Sequence, residues 1–204
     1  MEGQEYLNQI SASNRPTKKS MPKFLSSKLF IFGAAALTLA IAIMIVGSIL
    51  GSGKTSEKDS TYALKLHLDN TATVIKSYQS SVKSSTLRSN SASLYSILTN
   101  TSRDLDNYLT EKYSFKEKDA DKKISEQATL EKDGLESELF NAKINGILDR
   151  IYAHKITYEI STLMNEESNL FKKSGNESLK NILNTSYQSL ENLYKSFSEY
   201  SETK

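Results

Sequence analysis

The residues able to do chemistry in this chain are few, and their spacing does not suit it. There are two histidines, His67 and His154, and no cysteine. Without cysteine there is no disulfide framework, no thiolate metal site and no thiol nucleophile. A carboxylate di-iron centre in a helical bundle takes Glu-x-x-His on two helices. The residues three before His67 and His154 are Leu64 and Ile151, so that ligand set is missing. His154, with Tyr158 and Glu159 one turn further on, is a candidate for a polar pocket; the plainer alternative is a histidine on a solvated helix face. Glu166 and Glu167 are paired acids, but adjacent residues on a helix point in different directions, which does not suit a shared proton. Serines are abundant, yet none stands in a G-x-S-x-G elbow, and a serine nucleophile needs a base and an orienting group beside it. Gly51-Ser52-Gly53-Lys54-Thr55 resembles the end of a phosphate-binding loop, but the full pattern needs glycine at position 48, where Ser48 stands. The sequence therefore assigns no catalytic, cofactor-binding or metal residue, and the chain is expected not to be an enzyme. Tyr152, Tyr158, Tyr187, Tyr194 and Tyr200 pair an apolar body with a polar tip, which suits either a contact surface or the rim of a core. Glycan acceptor patterns at Asn100, Asn176 and Asn184 carry no weight in a chain so rich in Asn and Ser.

These residues hang on one stretch. Residues 29–50 read LFIFGAAALTLAIAIMIVGSIL and hold no charge. At about 1.5 Å per residue a helix of this stretch is roughly 33 Å long, against a hydrocarbon core of about 30 Å. A backbone in lipid must satisfy its own hydrogen bonds, so the stretch is expected to be a transmembrane helix. Before it, residues 1–28 are polar, carry Pro16 and Pro22, and read as a disordered tail. That tail holds Arg15, Lys18, Lys19, Lys23 and Lys28, whereas Lys54 and Lys58 follow the span. The basic excess places the N-terminus in the cytoplasm and the C-terminal body outside it, as a single-pass plasma-membrane protein. The tail bases also suit anionic lipid, so the lipid bilayer is the first expected partner. A cleaved signal peptide is the alternative: Gly51-Ser52-Gly53 supplies small residues, but the apolar run is longer than such peptides use. Gly47 and Gly51 form a GxxxG pair at the end of the span, a route to a homodimer.

The N-terminal wording carries a resemblance. Tyr6-Leu7-Asn8-Gln9-Ile10-Ser11-Ala12-Ser13, then Arg15-Pro16, then lysines and a span, resembles the start of uncharacterised single-pass membrane proteins of Saccharibacteria, over about the first 50 residues. That resemblance implies a bacterial plasma membrane and a body facing the cell surface. It implies no activity and transfers no functional residue.

Residues 51–60 read as a linker, and residues 61–200 as an extracytoplasmic helical bundle. The 21 bases and 22 acids after the span leave the body near neutral, so no nucleic-acid surface is expected. Leu64, Leu68, Ala72, Ile75 and Val82 recur at helical spacing over 58–82. A second helix is expected over about 87–112, a charged and mobile connection over 113–133 with partial helix as the alternative, and a third, central helix over 134–170. Gly175 suits a left-handed stop and Asn176 a cap, before a fourth helix over 177–200. Ser93-Leu94-x-x-Ile97-Leu98 recurs as Ser178-Leu179-x-x-Ile182-Leu183 at an offset of 85, as in a duplicated hairpin or by chance between amphipathic helices. The expected fold is all-α: one N-terminal transmembrane helix followed by an antiparallel four-helix bundle. The expected function is a non-catalytic binding or structural role at the cell envelope, toward an unknown envelope protein. The alternative is a sensor-like bundle that binds a ligand between helices and acts through a membrane partner. No cofactor is expected.

Overall fold

Short polar caps set where the helices begin. In the computed structural model, which describes residues 56–202, Ser56 accepts the amide of Asp59 at 3.1 Å and starts α1, Glu57–Tyr78. Ser84 accepts the amide of Leu87 and starts α2, Ser85–Tyr113. Asp121 does the same for α3, Lys122–Ile144, through the Lys123 amide. A turn at Gly146 leads into α4, Leu148–Lys173, and Asn176 accepts the Leu179 amide to start α5, Glu177–Glu202. Each such side chain satisfies one of the amides that a helix N-terminus leaves without a partner. No strand occurs among the described residues.

The ends are equally local. After α3, the Gly146 amide bonds the Lys143 carbonyl and the Ile147 amide bonds the Ala142 carbonyl. This is a Schellman stop, and it needs the left-handed residue that Gly146 supplies with φ at 72°. The expected single helix over 134–170 is therefore two helices. Gly175, by contrast, has no positive φ; α4 instead ends on Ser174 with extended backbone. After α2, Ser114 takes the left-handed position at φ 50°, and Phe115 folds back so that its ring meets Tyr62 at 4.9 Å. Residues 122–133, expected within a charged connection, are helical because Ile124 and Ala128 find apolar contacts that so polar a segment barely advertises.

Helices α1, α2, α5 and α4 pack in that cyclic order, each against the next, and α3 lies outside the ring on the seam between α1 and α4. All the described helices belong to one unit, Ser52–Lys204. The result is an all-α bundle of five helices. Leu68, Ile75, Leu98, Leu105, Ile156, Leu163, Leu183 and Phe197 lie fully inside it. Burying such side chains stabilises the fold by about 1.5–3 kcal/mol each. Helix α3 is tied on by side chains as well: Asn70 donates to the Ala128 carbonyl at 2.8 Å, and Tyr78 to the Glu136 carbonyl at 3.0 Å. Residues 1–28, the candidate span 29–50 and the first half of the linker lie outside the described residues. Among the described residues no helix is long and apolar enough to cross a membrane.

Candidate functional site

Three groups of polar side chains inside the bundle bring titratable residues together, each at the crossing of particular helices. The first centres on His67 of α1. Glu159 and Glu166 are two turns apart on α4, so both face the same seam. His67 Nε2 lies 2.9 Å from Glu159 Oε2, and its Nδ1 lies 2.9 Å from Glu166 Oε2. Carboxylates only accept, so a ring that meets one at each nitrogen is satisfied as the doubly protonated imidazolium. Burial opposes that charge. The Glu166 charge and the hydrogen bonds that the ring donates to both carboxylates outweigh it, and the imidazole pKa is raised well above its ordinary value. The His67 side chain is 12% exposed, and Tyr158 lies within electrostatic reach.

This arrangement is a poor catalyst. A general acid or base must turn one ring nitrogen toward substrate, and here both are held by carboxylates. Among the described residues no group of three His, Cys, Asp or Glu side chains is placed to hold a metal ion. His67 and the two glutamates act as an interhelical clasp.

The second group begins at the very next residue. Glu167 turns about 100° round α4 from Glu166 and enters the seam with α5 and α2. Ser186 donates to Glu167 Oε1 at 2.5 Å, and Thr101 donates to Ser186 Oγ at 3.1 Å. Glu167 Oε2 is buried and has no hydrogen-bond partner. Burial, helped by the neighbouring Glu166 charge and opposed by the Ser186 hydrogen bond, pushes its pKa up to about 8. The shift favours the protonated, neutral carboxyl. Thr101 and Ser186 are separated by the same 85 residues as the recurring sequence pattern, so positions equated by that pattern meet where α2 crosses α5.

The third group closes one pole of the bundle. Glu57 Oε1 accepts from Tyr108 at 2.7 Å, Lys112 at 2.7 Å and Tyr113 at 2.8 Å, and its Oε2 accepts from Ser174 at 2.7 Å. Its carboxyl loses some hydration, which raises the pKa, but Lys112 and the three hydroxyls prevail and lower it to about 2. One carboxylate thus joins the start of α1 to the ends of α2 and α4.

The opposite pole is built from the loop after α1 and the α3–α4 turn. Asp149 accepts the amides of Lys83 and Ser84 at 2.9 and 2.8 Å, Lys143 reaches Ser81 at 3.0 Å, and Arg88 donates to the Val82 and Lys83 carbonyls. Outside this braced frame stand Phe140, 55% exposed, Ile144, 67%, and Ile147, 41%.

Of the residues singled out in the sequence, His154 is exposed and takes no part in a polar pocket; Glu159 pairs instead with His67. Glu166 and Glu167 do diverge, into two different seams. Tyr152 is buried and shares a 2.8 Å hydrogen bond with Ser91, whereas Tyr187 is exposed. The roles of His67, Glu57 and Glu167 depend on partners far along the chain and had no local signal. The GxxxG pair and Gly51–Thr55 lie outside the described residues. No protein-family description, curated protein or solved structure matches the chain.

Proposed function

We propose that this chain is a membrane-anchored helical module with a non-catalytic binding role at the cell envelope. The observation that carries the reading is a contrast within the bundle. Its clustered titratable groups are engaged in joining helices, while large apolar side chains gather, exposed, on one braced pole. Residues 29–50 would form the single transmembrane helix and the basic tail would stay in the cytoplasm, leaving the bundle outside, in the plasma membrane of a bacterium. The GxxxG pair would allow a homodimer. A sensor-like role is the second reading, favoured by one feature: the buried, unpartnered Glu167 Oε2 between α4, α5 and α2.

The chain has no cysteine, so single introduced cysteines report topology without background. Asn145→Cys in the α3–α4 turn and Ser13→Cys in the tail are each labelled on intact cells with a membrane-impermeant maleimide. The reading expects immediate labelling at 145, and labelling at 13 only after permeabilisation. Labelling of both positions only after lysis overturns the extracytoplasmic placement.

A further inference from the structure

The exposed pole has a chemistry that narrows its partner. Phe140 and Ile144 lie one turn apart on the same face of α3, and Ile147 follows just past the Gly146 turn. Leu130, 67% exposed, lies on the same arc further back. Among the described residues six large apolar side chains are exposed, these four with Phe171 and Tyr187, and three of them fall at one end of the bundle. Around them the acids of α3 are engaged by bases of the bundle: Glu138, two residues before Phe140, pairs with Lys155, and Glu136 lies 3.8 Å from Lys132. In residues 79–88 and 143–150 the bases are Lys83, Arg88, Lys143 and Arg150, all exposed. The one acid, Asp149, has both oxygens occupied by the loop amides of Lys83 and Ser84. The other acidic helix end of this pole, that of α5, belongs to the far side of the ring from α3.

A protein interface of ordinary kind asks for a broad, complementary surface. Here exposed apolar side chains and exposed bases share one end of the bundle. Apolar side chains that enter the headgroup boundary, with Lys and Arg at the phosphates, are the pattern of an interfacial membrane contact. The tip is also held rigidly, since Lys143 and Asp149 fasten it to the loop after α1. We infer that the α3–α4 tip docks on an anionic lipid surface, inserting Phe140, Ile144 and Ile147 among the acyl ends of the headgroups, with Lys83, Lys143 and Arg150 meeting the phosphates. The inference rests on the envelope-binding reading above and gives its partner.

The test uses the full chain carrying Asn145→Cys labelled with an environment-sensitive fluorophore, reconstituted with vesicles of phosphatidylcholine alone or with about one third phosphatidylglycerol. Docking gives a blue-shifted emission, several-fold brighter, in the anionic vesicles only. Ile144→Ser with Ile147→Ser abolishes the shift, and Phe171→Ser, an exposed apolar residue elsewhere on α4, leaves it unchanged. Each of Lys83→Gln and Arg150→Gln lowers the docked fraction about fivefold, and salt weakens it further. Equal emission in both lipid mixtures, or a shift that survives the double serine variant, overturns the inference. Flotation of that double variant reads the anchor separately. It floats if residues 29–50 insert and stays below if they do not, and the emission contrast is read in either case.

Discussion

Replacing Glu167 by Gln should remove a pH dependence that the wild-type bundle carries. The side chain is 1% exposed, and its pKa moves from 4.5 when unfolded to about 8 when folded. Between those values the native carboxyl holds a proton that the unfolded chain has released. The unfolded state then binds fewer protons, so stability falls as pH rises, by about 1.4 kcal/mol per pH unit. From about pH 5 to pH 8 the loss is on the order of 4 kcal/mol. Glutamine keeps the acceptor that Ser186 uses but cannot ionise. Its amide places two donors where the protonated carboxyl places one, all without a partner, an added cost of about 1–3 kcal/mol that does not change with pH. The variant should therefore be less stable than wild type at pH 5, and equal or more stable at pH 8. Urea unfolding followed by far-UV circular dichroism, with the full chain in a mild detergent, measures both. Parallel stability curves for the two proteins from pH 5 to pH 8 would refute the reasoning, because Glu167 would then ionise freely inside the fold.

Three other substitutions test the remaining groups. His67→Gln leaves Glu159 and Glu166 facing one another without their cation and should cost about 3 kcal/mol in urea unfolding at pH 6. Because the folded His67 pKa is raised, its contribution is complete below the unfolded value of 6.5 and disappears as pH rises through the folded value, so the deficit of the variant should shrink in alkali. Glu57→Gln should lose about 2 kcal/mol at pH 7, the size of hydrogen bonds to a charged group, with proteolysis appearing first around residues 114–121. Its lowered pKa makes that contribution present above pH 4.5 and lost as pH falls toward about 2, so wild type and variant should converge in acid. Gly146→Ala places a β-carbon on a left-handed residue and should lower stability by about 1–2 kcal/mol, visible as a lower thermal midpoint.

The helical class and most core positions were legible because their signal is local. Leu64, Leu68, Ala72 and Ile75 repeat at helical spacing and are all buried, and Ser56 and Asn176 cap the helices that follow them. The first half of helix α3 was hidden for the opposite reason. Its inward face relies on Ile124, Ala128, Leu135, Leu139 and Ala142, two of them alanines, and on bonds that Asn70 and Tyr78 send to its carbonyl groups. A glycine at 146 was visible, but whether it weakens a long helix or ends one depends on whether the following residue can fold back, as Ile147 does. The polar groups were the least legible. His67 meets carboxylates 92 and 99 residues away, and spacing along one helix cannot report a partner on another. Glu159 was grouped with His154, its neighbour in sequence, but His154 lies on the exposed face, the plainer reading, and Glu159 faces His67.

The placement of those polar groups has a structural logic. Stripes of leucine on four helices pack almost equally well when one helix slides by a turn or rotates slightly, so apolar burial alone leaves register loosely specified. A polar group that is satisfied in only one register removes that freedom, since every slip leaves a buried donor or acceptor without a partner. In this bundle the pins stand at different heights and on different pairs. Glu57 holds α1 to α2 and α4 at one pole; His67 holds α1 to α4, and Asp69 holds α1 to α2 through Ser102; Thr101, Ser186 and Glu167 hold α2, α5 and α4; Ser91 with Tyr152 holds α2 to α4; Asp149 closes the far pole. A bundle pinned in this way behaves as a stiff spacer about as long as its 22-residue first helix, roughly 33 Å at about 1.5 Å per residue. The polar groups thus hold the helices of the bundle in one register.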